Sequence, residues 1–398
     1  MNRMHRTLVV VGLIALVASL PESGEATRLD QSRAQGTRLI VNDAYRVNAI
    51  TSQVLAVRAG TSRVLTRRQG FSYAPLLPSP DGRHILFDRE PCCSGVGTYR
   101  ALWAFNRNGT NQHQVVVIPP SRCGNALGVG SIAWSPSGRR LAYAIFFASD
   151  ARHGCLPGVR DVVGAWVTSY DHPQPRQLTY GGDPQGGAPL SWSPDERTLA
   201  TNRSGNVVAV DVTTGRSRVL VYGGRQGVFA PVTGDLAYVT GGERRGHSTL
   251  IWVAGTQGRR RHLLASTRIP VVEERALLWS PDGRSISYIT GNGADVHPGL
   301  NTSGTRTLWV AGGGRLHPRR LVTDPAGSLF SPAWSPDSRG LAFIAAGACG
   351  SALECPNSTY LASVDIATGM RERIQYSGHQ GASVLPHSQL TSVVWLAS

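Results

Sequence analysis

Apolar residues recur along this chain in short runs of period two, and no segment carries the period of an amphipathic helix. One run, as in Ile132-Ala133-Trp134, ends in tryptophan before a tight turn; the next, as in Leu141-Ala142-Tyr143, alternates after it. A third run of the form Leu308-Trp309-Val310 follows a variable loop, and a fourth carries Arg-x-Leu, as in Arg176-Gln177-Leu178. The pattern predicts four antiparallel strands per unit and an all-β fold essentially without helix.

The turn between the first two runs is a repeated word: Ser79-Pro80-Asp81-Gly82, Ser135-Pro136-Ser137-Gly138, Ser193-Pro194-Asp195-Glu196, Ser280-Pro281-Asp282-Gly283 and Ser335-Pro336-Asp337-Ser338. Thr233-Gly234-Asp235 reads as a worn sixth copy, and the first positions are then 56, 58, 40, 47 and 55 residues apart. Each interval accommodates one four-stranded blade with loops. Proline presets φ at the second turn position, serine and aspartate accept nearby backbone N–H groups, and glycine suits the exit.

The unit W-S-P-D-G-R, then an L-W-V-like strand and R-x-L-T, resembles the TolB-like, WD-repeat-like propeller family from about residue 40 to the C-terminus. That resemblance implies one blade per copy. The expected organisation has neither the domain that precedes the propeller in TolB nor the hydrolase domain of prolyl-oligopeptidase relatives. Thr391 to Trp395 matches the innermost strand, and Arg38–Val41 or Tyr45–Ile50, Gln53–Val57 and Arg63–Thr66 match the other three. The expectation is therefore a seven-bladed β-propeller over 38–398, closed by pairing N- and C-terminal strands; six blades is the alternative. Closure removes open sheet edges.

Composition agrees with a turn-rich, core-forming chain: 46 Gly, 24 Pro and 41% hydrophobic residues. The net charge is +15, and every one of the 40 basic residues is arginine, which excludes a catalytic lysine, a Schiff base and a P-loop lysine. Arg3 and Arg6, an apolar run from Leu8 to Leu20 and a small-residue site at Gly24-Glu25-Ala26 predict a secretory signal over 1–26, with a linker over 27–37. A secreted or periplasmic protein is expected. In that compartment Cys92, Cys93, Cys123, Cys155, Cys349 and Cys355 read as disulfide cysteines. Cys349 and Cys355 share a loop and are expected to pair. A vicinal bridge would be strained, so Cys123 and Cys155 each take one of Cys92 and Cys93, in either order. A metal site at Cys155 and His153 is the weaker reading, because C-x-x-C spacing is absent.

In such a meander the first and third turns of each blade share one face, and the longer loops share the other. All the cysteines fall on the loop face. So does a second repeat, Tyr180-Gly181-Gly182-Asp183, Tyr222-Gly223-Gly224-Arg225 and Tyr376-Ser377-Gly378-His379, which makes Asp183, Arg225 and His379 ligand-facing candidates. The plainer account is that Tyr and Gly only shape these loops. Neighbouring loops add Arg152, His153, Glu243, Arg244, Arg245, His247, Asp295 and His297. Arg83, Arg139, Arg140, Arg197, Arg284 and Arg339 flank the first turns, while Arg107, Arg216, Arg259-Arg260-Arg261, Arg315 and Arg371 flank the third. This turn face suits acidic polymers or anionic head groups, unless the turn aspartates neutralise it.

All nine tryptophans fall at blade-packing positions, so they give no sugar-stacking row. G-x-S-x-G, H-E-x-x-H and Walker motifs are missing. The expected function is a non-catalytic binding scaffold for a protein or an acidic envelope polymer. A metal-assisted lyase or hydrolase acting on acidic glycans is the alternative. Nucleic acid is not an expected partner, no cofactor is expected, and the chain is expected to be a monomer.

Overall fold

The computed structural model describes residues 38–46, 50–58, 61–69, 71–73, 76–91, 101–123, 127–147, 162–180, 189–242, 248–271, 277–291, 305–312, 317–324, 329–346, 359–374 and 389–396. Among them there is no helix; the strands form seven antiparallel sheets, each a blade. Blade 1 has a broken innermost strand, Phe71–Tyr73 and Leu77–Pro78, followed by His84–Pro91, Ala101–Asn106 and His113–Val117. Blade 2 is Leu127–Trp134, Arg140–Phe147, Gly164–Ser169 and Arg176–Gln177; blade 3 is Ser191–Trp192, Thr198–Arg203, Asn206–Asp211 and Ser217–Val221. Blade 4 is Gly224–Phe229, Leu236–Gly241, Thr249–Ala254 and His262–Thr267; blade 5 is Leu278–Trp279, Ser285–Gly291, Arg306–Gly312 and Arg319–Asp324. Blade 6 is Phe330–Trp334, Gly340–Ala346, Thr359–Asp365 and Arg371–Arg373.

Blade 7 closes the ring. Its innermost strand, Gln389–Leu396, pairs with Arg38–Arg46, placing Leu39 opposite Trp395 and Val41 opposite Val393, and Ile50–Arg58 and Thr61–Gln69 complete it. Seven blades replace the six-bladed alternative.

The core is divided among the joints between blades: seven buried clusters, one for each pair of neighbours. Period two explains the division, because successive side chains of a strand point to opposite sheet faces. Leu236 and Tyr238 fill the joint between blades 3 and 4, while Ala237 and Val239 fill the next. Likewise Leu141 and Tyr143 face blade 1, and Ala142 faces blade 3. In both blades the aromatic residue is on one face of the second strand and alanine is on the other, which fits a wedge to its neighbours.

Indole N–H groups bind the joints together. Trp134, Trp192, Trp279 and Trp334 each donate to a carbonyl on the innermost strand of the preceding blade, at Leu77, Ala133, Val228 and Leu278, over 3.1–3.2 Å.

The turn chemistry follows the expectation. In blade 1 the Ser79 hydroxyl donates to Asp81 at 2.5 Å, the carboxylate accepts the Arg83 amide, and Ser79 Oγ accepts the His84 amide. The sixth copy differs from its expected register. Its hairpin begins at Ala230-Pro231, three residues before Thr233, with the Ala230 amide donating to the Asp235 carbonyl. The left-handed residue there is Gly234, whose amide donates back to Ala230.

Candidate binding site on the ring

The turn face is built from these hairpins, and their fourth residue is left-handed. Gly82, Gly138 and Gly283 take φ of 66°, 72° and 70°, but Glu196 (57°) and Ser338 (61°) do so with side chains. Both side chains cross a joint. The Glu196 carboxylate accepts the Ser137 amide and the Arg140 guanidinium at 2.9 Å, and Ser338 Oγ accepts the Asp282 amide at 3.1 Å. Burial works upward on the Glu196 carboxyl, but Ser137 and Arg140 outweigh it and hold the group below its ordinary range. Arg140 also lies over the Trp192 ring, 4.8 Å from its centroid, so it ties blades 2 and 3 together rather than facing a ligand.

The turn aspartates do little to neutralise the arginines. Asp81 forms a 3.6 Å ion pair with Arg83, both well exposed. Asp195 instead accepts the Ser193 hydroxyl and the Arg197 amide, which keep its carboxyl below the usual range. Among the described residues, Arg107, Arg216, Arg218, Arg259 and Arg260 are exposed and take part in neither ion pair found, Arg83–Asp81 or Arg140–Glu196.

The outer wall carries a device that the Arg-x-Leu pattern serves. In three joints this arginine latches onto the third turn of the next blade. Arg63 donates to the Asn108 carbonyl at 3.3 Å, Arg176 to Val212 and Thr213, and Arg319 to Ile366 and Ala367, both at 2.7 Å. The same turn packs a glycine against the strand. A Cβ at Gly258 would lie 2.4 Å from the Leu220 carbonyl oxygen, so no larger residue fits without movement. Gly109 meets Leu65 and Gly215 meets Leu178 in the same way. Between blades 3 and 4 the joint keeps the glycine contact but not the latch. A groove of about 440 Å³ opens there, lined by Arg218, Val219, Leu220, Gln257, Gly258 and Arg259.

A polar cluster lies where blades 1 and 2 meet on the turn face. The Tyr170 ring is 5.0 Å from His84, 6.0 Å from His113 and 4.9 Å from Trp134. Burial, reinforced by Asp171 and Asp81, pushes the Tyr170 hydroxyl up to about 12, so it remains protonated at neutral pH. Among the described residues no three His, Cys, Asp or Glu side chains converge as metal ligands.

On the loop face, Asp183, His379, Arg244, Arg245 and His297 lie outside the described residues, as do Cys92, Cys93, Cys155, Cys349 and Cys355. Cys123 is disulfide-bonded. Arg225 corrects its expected place: it is a strand residue of blade 4, opposite Val239, and half-buried. The glycines around it serve packing, since a Cβ at Gly227 would lie 2.3 Å from Val207 Cγ1. Tyr222 points outward, 82% exposed. Gln226, next in the strand, was not singled out by its sequence; it is left-handed at φ 56° and 5% exposed, with a buried side-chain oxygen that has no partner among the described residues.

No family model and no curated protein matches the chain. Solved structures do. A 6-phosphogluconolactonase-like protein from Bacteroides uniformis is 14% identical over 91% of this chain and 100% of that one, at a TM-score of 0.54. A prolyl endopeptidase is 12% identical over 92% of this chain and 52% of that one, at 0.51. A TolB-like protein from Agrobacterium tumefaciens is 16% identical over 76% of this chain and 95% of that one, at 0.46. The likeness is one of fold: this chain is a seven-bladed propeller, in keeping with its TolB-like repeats.

Proposed function

We propose that this propeller is an exported, non-catalytic binding scaffold for an acidic polymer of the cell envelope. The observation that carries the reading is the set of exposed arginines on the turn face and outer wall, Arg107, Arg216, Arg218, Arg259 and Arg260, none of them in an ion pair among the described residues. A closed ring with a buried cluster in every joint holds such charges at fixed spacing, so little ordering entropy is lost on binding. The export part of the proposal rests on the leader pattern and on a disulfide-bonded Cys123.

The test is binding of the purified mature chain to an immobilised acidic polysaccharide at about 0.1 M and about 1 M salt, where the screening length falls from about 10 to about 3 Å. Retention at low salt, release at high salt and no retention on a neutral polysaccharide is the expected result. The polymer is then sized by chromatography. A shortened polymer would show that the protein cleaves it and would end the non-catalytic reading.

A further inference from the structure

We infer that the groove between blades 3 and 4 is an anion site, in which a carboxylate of an acidic polysaccharide bridges Arg218 and Arg259. The inference rests on the acidic-polymer reading above and assigns it a place. Arg63, Arg176, Arg218 and Arg319 each lie two residues before the leucine of an Arg-x-Leu strand. Three of the four spend their guanidinium on the next blade's turn carbonyls, and Arg218 makes no such bond. Its counterpart acceptor is known from blade 1. There the short turn Asn106–Thr110 offers the Asn108 carbonyl to Arg63, and the matching turn of blade 4, Gly255–Arg259, has Gln257 at that position.

Between these two short turns the residue after the glycine differs. It is Thr110 in blade 1 and Arg259 in blade 4; in blade 3 it is Arg216, but there a longer turn, Asp211–Arg216, presents the Val212 and Thr213 carbonyls to Arg176. On the short turn of blade 4, closing the latch onto Gln257 would bring the Arg218 and Arg259 guanidiniums together, and like charges in proximity oppose that. An anion between them reverses the sign. Each guanidinium presents a planar fork that matches a carboxylate, so one carboxylate accepts from both sides of the groove. Arg216, Arg260 and Arg261, all exposed, extend the positive field along the wall for further carboxylates of the same chain. The open groove, with Val219 (37% exposed) on its wall and Leu263 (49%) exposed on the neighbouring outer strand, also offers apolar ground for the C–H face of a sugar ring. A concave site on the outer wall favours a polysaccharide strand over a flat lipid surface.

The test uses the full mature chain, with alginate as the polyuronate and polyphosphate and dextran as comparators, by calorimetry at about 0.1 M salt. The R218A/R259A pair is compared with R203A/R268A, which removes the same charge from exposed positions on the opposite, loop face. The expected result is roughly tenfold or greater loss of alginate affinity for the groove pair, the scale of one charge-assisted contact, and less than about twofold loss for the control. R218K, which keeps the charge but not the fork, is expected to fall between. Equal losses in both pairs would mean diffuse attraction and overturn the site while leaving the acidic-polymer reading intact. Polyphosphate binding as tightly as alginate would overturn the assigned occupant. Failure of the unaltered protein to bind alginate at all would overturn both.

Discussion

Replacing Glu196 separates two effects that one residue combines. Its carboxylate is 16% exposed, crosses the joint between blades 2 and 3, and accepts from the Ser137 amide and the Arg140 guanidinium. Charge-assisted bonds of this kind contribute about 2 kcal/mol. Its backbone is left-handed at φ 57°, which costs a residue with a Cβ about 1 kcal/mol. Glu196→Ala loses the bonds and keeps the strain, a net loss of about 2 kcal/mol. Glu196→Gly loses the bonds and relieves the strain, a net loss of about 1 kcal/mol. Denaturant midpoints should therefore rank wild type, then glycine, then alanine. Ser338→Gly is the control: a neutral hydroxyl contact of about 1 kcal/mol balances the same strain, so stability should hardly change. The carboxyl of Glu196 is held below its unfolded value of 4.5, so its contribution is complete well above that value and lost as pH falls through the folded value. The gap between wild type and Glu196→Gln should thus narrow as pH drops from neutral towards 3. A glycine variant at least as stable as wild type, or a gap that widens in acid, would refute this account.

Three further outcomes follow from the geometry. Trp192→Phe removes the indole donor to the Ala133 carbonyl and part of the surface under Arg140, and should lower stability by about 1–2 kcal/mol in chemical denaturation. Gly227→Ala forces a methyl against Val207 and should cost about 1–3 kcal/mol; Gly205→Ala, in open space at φ +70°, should cost only about 1 kcal/mol in the same assay. Val393→Asp puts a carboxylate at a fully buried position of the closing strand and should abolish the wild-type peak in size-exclusion chromatography. Val64→Asp, 44% exposed on the outer strand of that blade, should leave the peak in place.

The sequence made the architecture legible because it is written locally and repeated. Each serine-proline turn specifies its hairpin within six residues, and period two assigns each side chain to a joint. Closure was legible too, since Thr391–Trp395 reads as a strand lacking its blade. What escaped lies where the information is not local. Ala230 has neither the hydroxyl nor the carboxylate of the repeated turn, so the sequence pattern marks this hairpin only at Thr233, three residues after it begins. Gly223-Gly224 resembles a flexible loop, yet Gly224 is a buried strand residue beside Val207 and Val221. A glutamate in a glycine's turn position was the available signal for the tie from Glu196 to Ser137, but its partner is 59 residues away. The Arg-x-Leu spelling is the same at Arg63, Arg176 and Arg218; what frees Arg218 is the turn of another blade.

The closing strand governs how the molecule is reached and left. Until Gln389–Leu396 meets Arg38–Arg46, blade 7 has three strands, and the joints on either side of it lack Val393 and Val394. Loop closure entropy rises only logarithmically with chain length, so joining ends so far apart costs little more equilibrium free energy than joining much nearer ones. The time required is another matter, because contacts this distant in sequence are found slowly. The reverse path is obstructed as well: no blade can peel from a free edge until that strand detaches. Such a ring should assemble slowly and, once shut, lose its structure at a rate set by a single strand's release.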